Sequence, residues 1–167
     1  MEPHDELNIP DDILEQLQKP DDLMKFIDDG RSLQEIIGYS DSLMEDLYQA
    51  ACEVFREGKH EEAQDGFLFL TTLNPYVYAY WLGLAMTHQL LEEYEQAIVA
   101  YESASKIESE APMPCYYLAG CYLLLNRLAE AQKAIDLARA KCAEKPEYKA
   151  LLEKVEKAEA KIRRRNH

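Results

Sequence analysis

With 167 residues and 47% apolar content, the chain is long enough to bury a continuous core, and its composition excludes wholesale disorder. Its net charge of −14 repels phosphate backbones, so no nucleic acid is expected as a partner. The longest apolar runs, such as Leu82 to Met86, are far too short to cross a bilayer, which excludes direct membrane insertion.

The acidity is uneven. Residues 1–60 hold 16 acids and 5 bases, whereas residues 61–167 hold 16 and 13. The acid-rich start (Glu2, Asp5, Glu6, Asp11, Asp12) does not read as a secretory leader. In chain order, residues 1–40 read as an N-terminal arm with a disordered start over 1–9. Ile13/Leu17 and Leu23/Phe26/Ile27 predict short amphipathic helices interrupted near Pro20. Leu33/Ile36/Ile37 add one apolar turn that stops at Gly38. The six residues Leu23, Phe26, Ile27, Leu33, Ile36 and Ile37 carry more apolar surface than one short helix buries. That surplus points to a partner chain, making the protein a homodimer, or to an intramolecular dock.

Residues 41–143 carry an internal repeat. Ala63, Ala97 and Ala131 stand 34 residues apart, and each opens the same stripe: Ala63/Phe67/Leu70, Ala97/Tyr101/Ala104, Ala131/Ile135/Ala138. Upstream of each lies a matching first helix, with Leu47/Ala50/Ala51, Trp81 to Ala85, and Cys115/Leu118/Ala119. A period of 34 is that of the tetratricopeptide repeat, a helix–turn–helix unit that cannot bury its apolar face alone. Ser42-Leu-Met-Glu45 reads as the capping box of the first helix, which runs to Gly58. Its partner spans about 60–73 and stops at Asn74-Pro75. The second repeat pairs about 77–91 with 94–107. The third, entered through Pro112 and Pro114, pairs about 112–125 with 128–142. Residues 144–167 form a C-terminal capping helix from Pro146, with Leu151, Leu152, Val155, Ala158 and Ile162 as its stripe. The fold is all-α, three repeats between an arm and a cap, with no strands.

The first helix of each repeat lines the concave side of such a stack, read at spacings of 3, 4 and 3. These positions are Glu45, Tyr48, Cys52 and Phe55; Ala79, Leu82, Met86 and Gln89; Met113, Tyr116, Gly120 and Leu123. None is Lys or Arg, so the groove does not suit a C-terminal carboxylate, which needs a paired cation. It suits an extended apolar segment, with Tyr76, Tyr78, Tyr80 and Tyr101 at its rim. Lys161 to Arg165 reads as a solvated helix end whose cations complement the dipole.

Catalytic and metal chemistry find no support. The chain has no phosphate-binding glycine loop, no H-E-x-x-H and no G-x-S-x-G. Cys52, Cys115, Cys121 and Cys142 form no C-x-x-C pair and fall in apolar helical patterns, as reduced core residues do. His88 falls at a packing position, and His60 sits at the turn after Gly58, beside the groove. The reading is a peptide binder without cofactor, with a tetratricopeptide scaffold as the alternative.

Several stretches go beyond the generic repeat. They are Phe26-Ile-Asp-Asp-Gly30-Arg-Ser-Leu33; Leu47-Tyr48-x-x-Ala51; Tyr80-Trp81-Leu82-Gly83-Leu84-Ala85; Tyr94-x-x-Ala97-Ile98-x-x-Tyr101; Cys121-Tyr122-x-Leu124; and Lys145-Pro146-Glu147-Tyr148. Together they resemble the class II chaperones of bacterial type III secretion, which hold hydrophobic translocator proteins. The resemblance covers roughly residues 23–160. It implies a cytoplasmic, commonly dimeric chaperone that binds a Pro-x-Leu-x-x-Pro-like segment of a translocator in its concave groove; some members also assist a transcription activator. Tyr48, Phe55, Leu73, Tyr80 and Tyr101 match the family's pocket residues. Cys52 and His60 stand where the family usually shows aromatic rings, which implies one pocket that is wider or reads a different anchor. Asp28-Asp29-Gly30 replaces a more usual Gly-rich turn in the arm.

Overall fold

The computed structural model describes residues 11, 15, 28–143 and 145–165. The expected disordered start and the helices around Ile13/Leu17 and Leu23/Phe26/Ile27 lie outside the described residues. The chain divides into two compact units, Met1–Tyr76 and Val77–His167. Among the described residues there is no strand.

The first unit holds α1 (Leu33–Ile37), α2 (Asp41–Arg56) and α3 (His60–Leu73). A capping box opens α1: Ser32 Oγ accepts from the Glu35 amide at 3.2 Å, and the Glu35 carboxylate accepts from the Ser32 amide at 2.9 Å. Gly38, at φ +85°, ends it in the left-handed region that glycine enters at least cost. The cap of α2 is Ser40, whose hydroxyl accepts from the Leu43 amide at 3.1 Å. The expectation of a box at Ser42/Glu45 is thereby corrected. Ser42 already lies inside the first turn, because the chain is extended at Ser40 immediately before the helix. Helix α1 packs on α3. Gln34 ties the segment further, donating to Asp41 and accepting from Asn74 at 2.8 Å each.

The second unit holds α4 (Tyr78–Leu90), α5 (Tyr94–Ile107), α6 (Met113–Leu124), α7 (Leu128–Cys142), a 3-10 turn Pro146–Tyr148 and α8 (Lys149–Arg165). Successive helices pack on one another through α8. Every member of the three predicted stripes is buried, with Ala63, Ala97 and Ala131 all at 0% exposure. The same small-residue logic recurs between the helices of a pair. A Cβ added to Gly66 would stand 3.1 Å from the Ala51 Cβ, so α2 and α3 touch almost backbone to backbone there.

The turns inside the pairs repeat as faithfully as the stripes. The amides of Lys59, Glu93 and Arg127 donate back to the carbonyls of Val54, His88 and Tyr122 at 3.2, 2.9 and 2.8 Å. One residue earlier, Gly58, Glu92 and Asn126 all adopt positive φ (79°, 62° and 58°). This is the Schellman closure of a helix C-terminus, laid down at intervals of 34 residues.

The cap is fixed by charge as well as by its stripe. Val155 and Ile162 are fully buried, and Glu159, at 9% exposure, sits between them on the same side. Its carboxylate pairs with Arg139 of α7 and with Arg163 of its own helix, the latter at 2.8 Å. A carboxylate so enclosed holds its place only because both cations answer it. Arg165 reaches α6, donating to the Leu123 carbonyl at 3.0 Å, so the basic tip serves as a tie as well as a solvated end.

Candidate peptide-binding faces

In the first unit, Tyr48, Cys52 and Phe55 follow one another at i, i+4 and i+7 on α2, and all three are half-buried. Behind them stands Phe67 of α3, 2% exposed. The Tyr48 and Phe55 rings lean on it edge-on, with centroids 6.2 and 6.4 Å away. His60, at the start of α3, adds a fourth ring 5.5 Å from Phe55. Cys52 is thus the one small side chain in an aromatic wall.

In the second unit, Leu82 and Met86 are half-buried on α4, followed by Gln89, whose side-chain carbonyl accepts from the Tyr101 hydroxyl at 2.7 Å. On α6 the face comprises Met113 (40% exposed), Tyr116, Gly120 and Leu123. Tyr117 supports it: its ring stacks on Tyr101 at 5.6 Å, and Tyr116 meets Tyr117 edge-on at 5.3 Å. None of the residues on these faces is cationic.

Three of the expected contact residues are covered by their own neighbours. Leu73, Tyr80 and Tyr101 are only 4%, 7% and 0% exposed, so they lie in the core and not on an open face. Burial raises the Tyr101 phenol well above its ordinary range, so it is neutral and acts as a hydrogen-bonding pillar. Tyr78 is pushed up to about 12, first by burial and then by Glu108. Ile36 and Ile37, expected at an interface between copies, are 5% and 6% exposed, their surface already spent inside the chain. Leu33 is half-buried, while Leu23, Phe26 and Ile27 lie outside the described residues. Sequence reasoning passed over Tyr117. Its adjacency to Tyr116 was visible, but its stacking on Tyr101 depends on the α5–α6 packing. His88, expected at a packing position, holds Glu93 through Nδ1 at 2.6 Å. Burial pushes the Cys121 thiol up to about 11 and raises that of Cys142, which keeps both protonated at neutral pH.

Gly120 stands out. It is mid-helix, where glycine costs about 0.5–1 kcal/mol relative to alanine, and a Cβ there would meet no atom within 4 Å. Packing therefore gives no reason for a glycine, whereas the half-buried face beside Tyr116 does. Gly120→Ala is expected to raise the melting temperature by ~2–4 °C, read by circular dichroism. A lower value would mean that the space is already filled.

Helix pairs closed by one turn every 34 residues, with aliphatic and aromatic side chains half-covered on the first helix of each pair, define a tetratricopeptide-repeat protein. The family described as Tetratricopeptide repeat matches residues 88–155. The chain is 31% identical over 130 residues to the low calcium response locus protein H of Yersinia pseudotuberculosis, covering 78% of this chain and 77% of that protein. The Yersinia enterocolitica type III secretion chaperone SycD, solved with a peptide of the translocator YopD, is similar at 30% identity and a TM-score of 0.73, over 77% of this chain and 98% of that one. PcrH, solved with the chaperone-binding region of PopD, is 30% identical with a TM-score of 0.75, over 78% and 98%. The chain belongs to this family, the tetratricopeptide-repeat chaperones of type III secretion translocators. No helix among the described residues is long and apolar enough to cross a membrane.

Proposed function

We propose that this protein is a cytoplasmic chaperone that masks an extended apolar segment of a hydrophobic translocator until export. It binds and does no catalysis, and it needs neither nucleotide nor metal. The observation that carries the reading is that the half-buried rings and aliphatic chains on α2 in the first unit, and on α4 and α6 in the second, include no Lys or Arg. It is supported by two relatives, SycD and PcrH, solved with translocator segments. Tyr48, Cys52, Phe55 and His60 receive apolar anchors on the first unit, and Leu82, Met86 and Tyr116 do so on the second. Such burial is not screened as ion pairs are.

A labelled peptide containing Pro-x-Leu-x-x-Pro is therefore expected to bind with an affinity that changes less than about tenfold between low and half-molar salt. Its control with alanine for leucine should bind weakly. A steep, linear loss with salt would move the binding to the charged segments and end the proposal. The same reading divides the chain into an arm (1–40), repeats (41–143) and a cap (144–167), with the arm joining two copies through Leu33 and the apolar residues before it. Sedimentation equilibrium of the full-length chain decides the last point, and a monomer mass up to high concentration removes it.

A further inference from the structure

The second unit carries a cavity that the client reading leaves unused. It has a volume of about 390 Å³ and opens between α5 and α7, with Cys115, Leu118 and Tyr122 of α6 as its floor. At about 100° per residue, these three leave α6 on the side opposite Tyr116, Gly120 and Leu123, so the cavity and the client face do not share a surface. Its walls are apolar and firm. Leu137 of α7, which lines it, is 48% exposed. The Tyr122 ring is held between its hydroxyl bond to Glu102 (3.2 Å) and the Arg127 guanidinium 4.8 Å from its centroid.

The charges around it are unevenly used. Both acids are engaged: Glu102 by Tyr122, and Glu130 by Arg127 at 3.0 Å. Lys106 and Lys133, facing each other from α5 and α7, are exposed and make no ion pair among the described residues. Behind the lining residues Ser105 and Cys115, the half-buried Lys141 ammonium has only neutral hydrogen-bond partners: Cys115 Sγ at 3.2 Å, Ser105 Oγ at 3.4 Å and the Ala111 carbonyl at 3.5 Å. Two exposed lysines that make no ion pair among the described residues thus line a largely apolar cavity, with Lys141 behind its Cys115 and Ser105, in a chain of net charge −14.

We infer that this cavity is a second docking site, for a partner protein segment that presents an apolar side chain beside carboxylates. The apolar chain fills the space over Leu118 and Leu137, and the carboxylates meet Lys106 and Lys133. The exposed ammoniums of Lys106 and Lys133 select and orient such a segment by charge complementarity, while burial of its apolar side chain holds it in place. The inference does not rest on the client reading, because the two sites lie on opposite sides of α6.

The test uses full-length, ¹⁵N-labelled protein and the blocked hexapeptide Ser-Asp-Leu-Phe-Glu-Ser. Amide shifts are expected to cluster around Leu118, Tyr122 and Leu137. The Lys106→Glu/Lys133→Glu double variant should weaken binding at least tenfold yet leave capture of the Pro-x-Leu-x-x-Pro peptide unchanged. The analogue with Asn and Gln for the acids should bind at least tenfold more weakly than the parent peptide. Equal binding of the two hexapeptides, shifts confined to the first-helix faces, or none at millimolar peptide would overturn the site. Octanoate binding as tightly as the peptide, with the same dependence on the lysines, would reassign the cavity to small anionic amphiphiles and overturn the protein partner.

Discussion

Ala97→Phe is expected to lower the melting temperature of the protein by up to about 10 °C. Ala97 is fully buried on the first turn of α5, a helix that packs extensively on α4. The turn before it leaves no slack: Glu92 is held at positive φ, and the Ala97 amide donates to the Glu93 carbonyl at 2.9 Å. A phenyl ring there has to push α4 away or leave its rotamer, and overpacking of this kind costs about 1–3 kcal/mol or more. For a chain of this length that corresponds to a fall in Tm on the order of 10 °C, in a fold with only about 5–15 kcal/mol in reserve. Thermal circular dichroism measures it. A melt within ~2 °C of the parent would show that α4 and α5 are not pressed together at this point.

Tyr48→Ala and Tyr116→Ala are expected to act in the opposite way, on binding more than on folding. Each ring is half-buried and touches its support by an edge, Phe67 in one case and Tyr117 in the other. Losing such an edge contact costs the fold about 0.5–1.5 kcal/mol. Losing an aromatic anchor of a bound segment typically costs about 2 kcal/mol, a weakening of roughly thirtyfold. Anisotropy titration of the Pro-x-Leu-x-x-Pro peptide, run beside thermal melts of both variants, separates the two effects. Early unfolding with normal capture by the protein that remains folded would make these tyrosines core residues and void the assignment.

Much of the fold was legible because small residues at fixed spacing have one structural meaning. Ala63, Ala97 and Ala131 can recur at 34 only if something passes close to each, and all three are fully buried. The helix ends at Gly38 and Asn74 followed from residue types with a strong backbone preference. The cap of α2 did not. Ser42 stands three residues before a Glu and Ser40 does not, yet the choice between them depends on where the chain leaves Gly38, which is a tertiary matter.

The site was legible by spacing but not by burial. Helical periodicity set Tyr48, Cys52 and Phe55 on one face correctly as a pattern. It has no means of showing that Tyr101 lies beneath Tyr117, or that Tyr80 and Leu73 are closed over. Tyr80 and Tyr101 were placed at the rim by their position beside the first helices and, with Leu73, in the pocket by resemblance, whereas the packing of neighbouring elements covers all three.

The three turns at Gly58, Glu92 and Asn126 have a consequence for how this chain tolerates length change. The residue type at that point is free to drift, from one that enters the left-handed region easily to one that pays about 1–2 kcal/mol for it, while the torsion angle stays. What is inherited from repeat to repeat is therefore a position in the chain, not a side chain. Substitution at the turn is a small local strain. Deleting one residue there would rotate the helix that follows by about 100°, carrying its buried alanine stripe round toward solvent. The repeats can vary in letter but not in count.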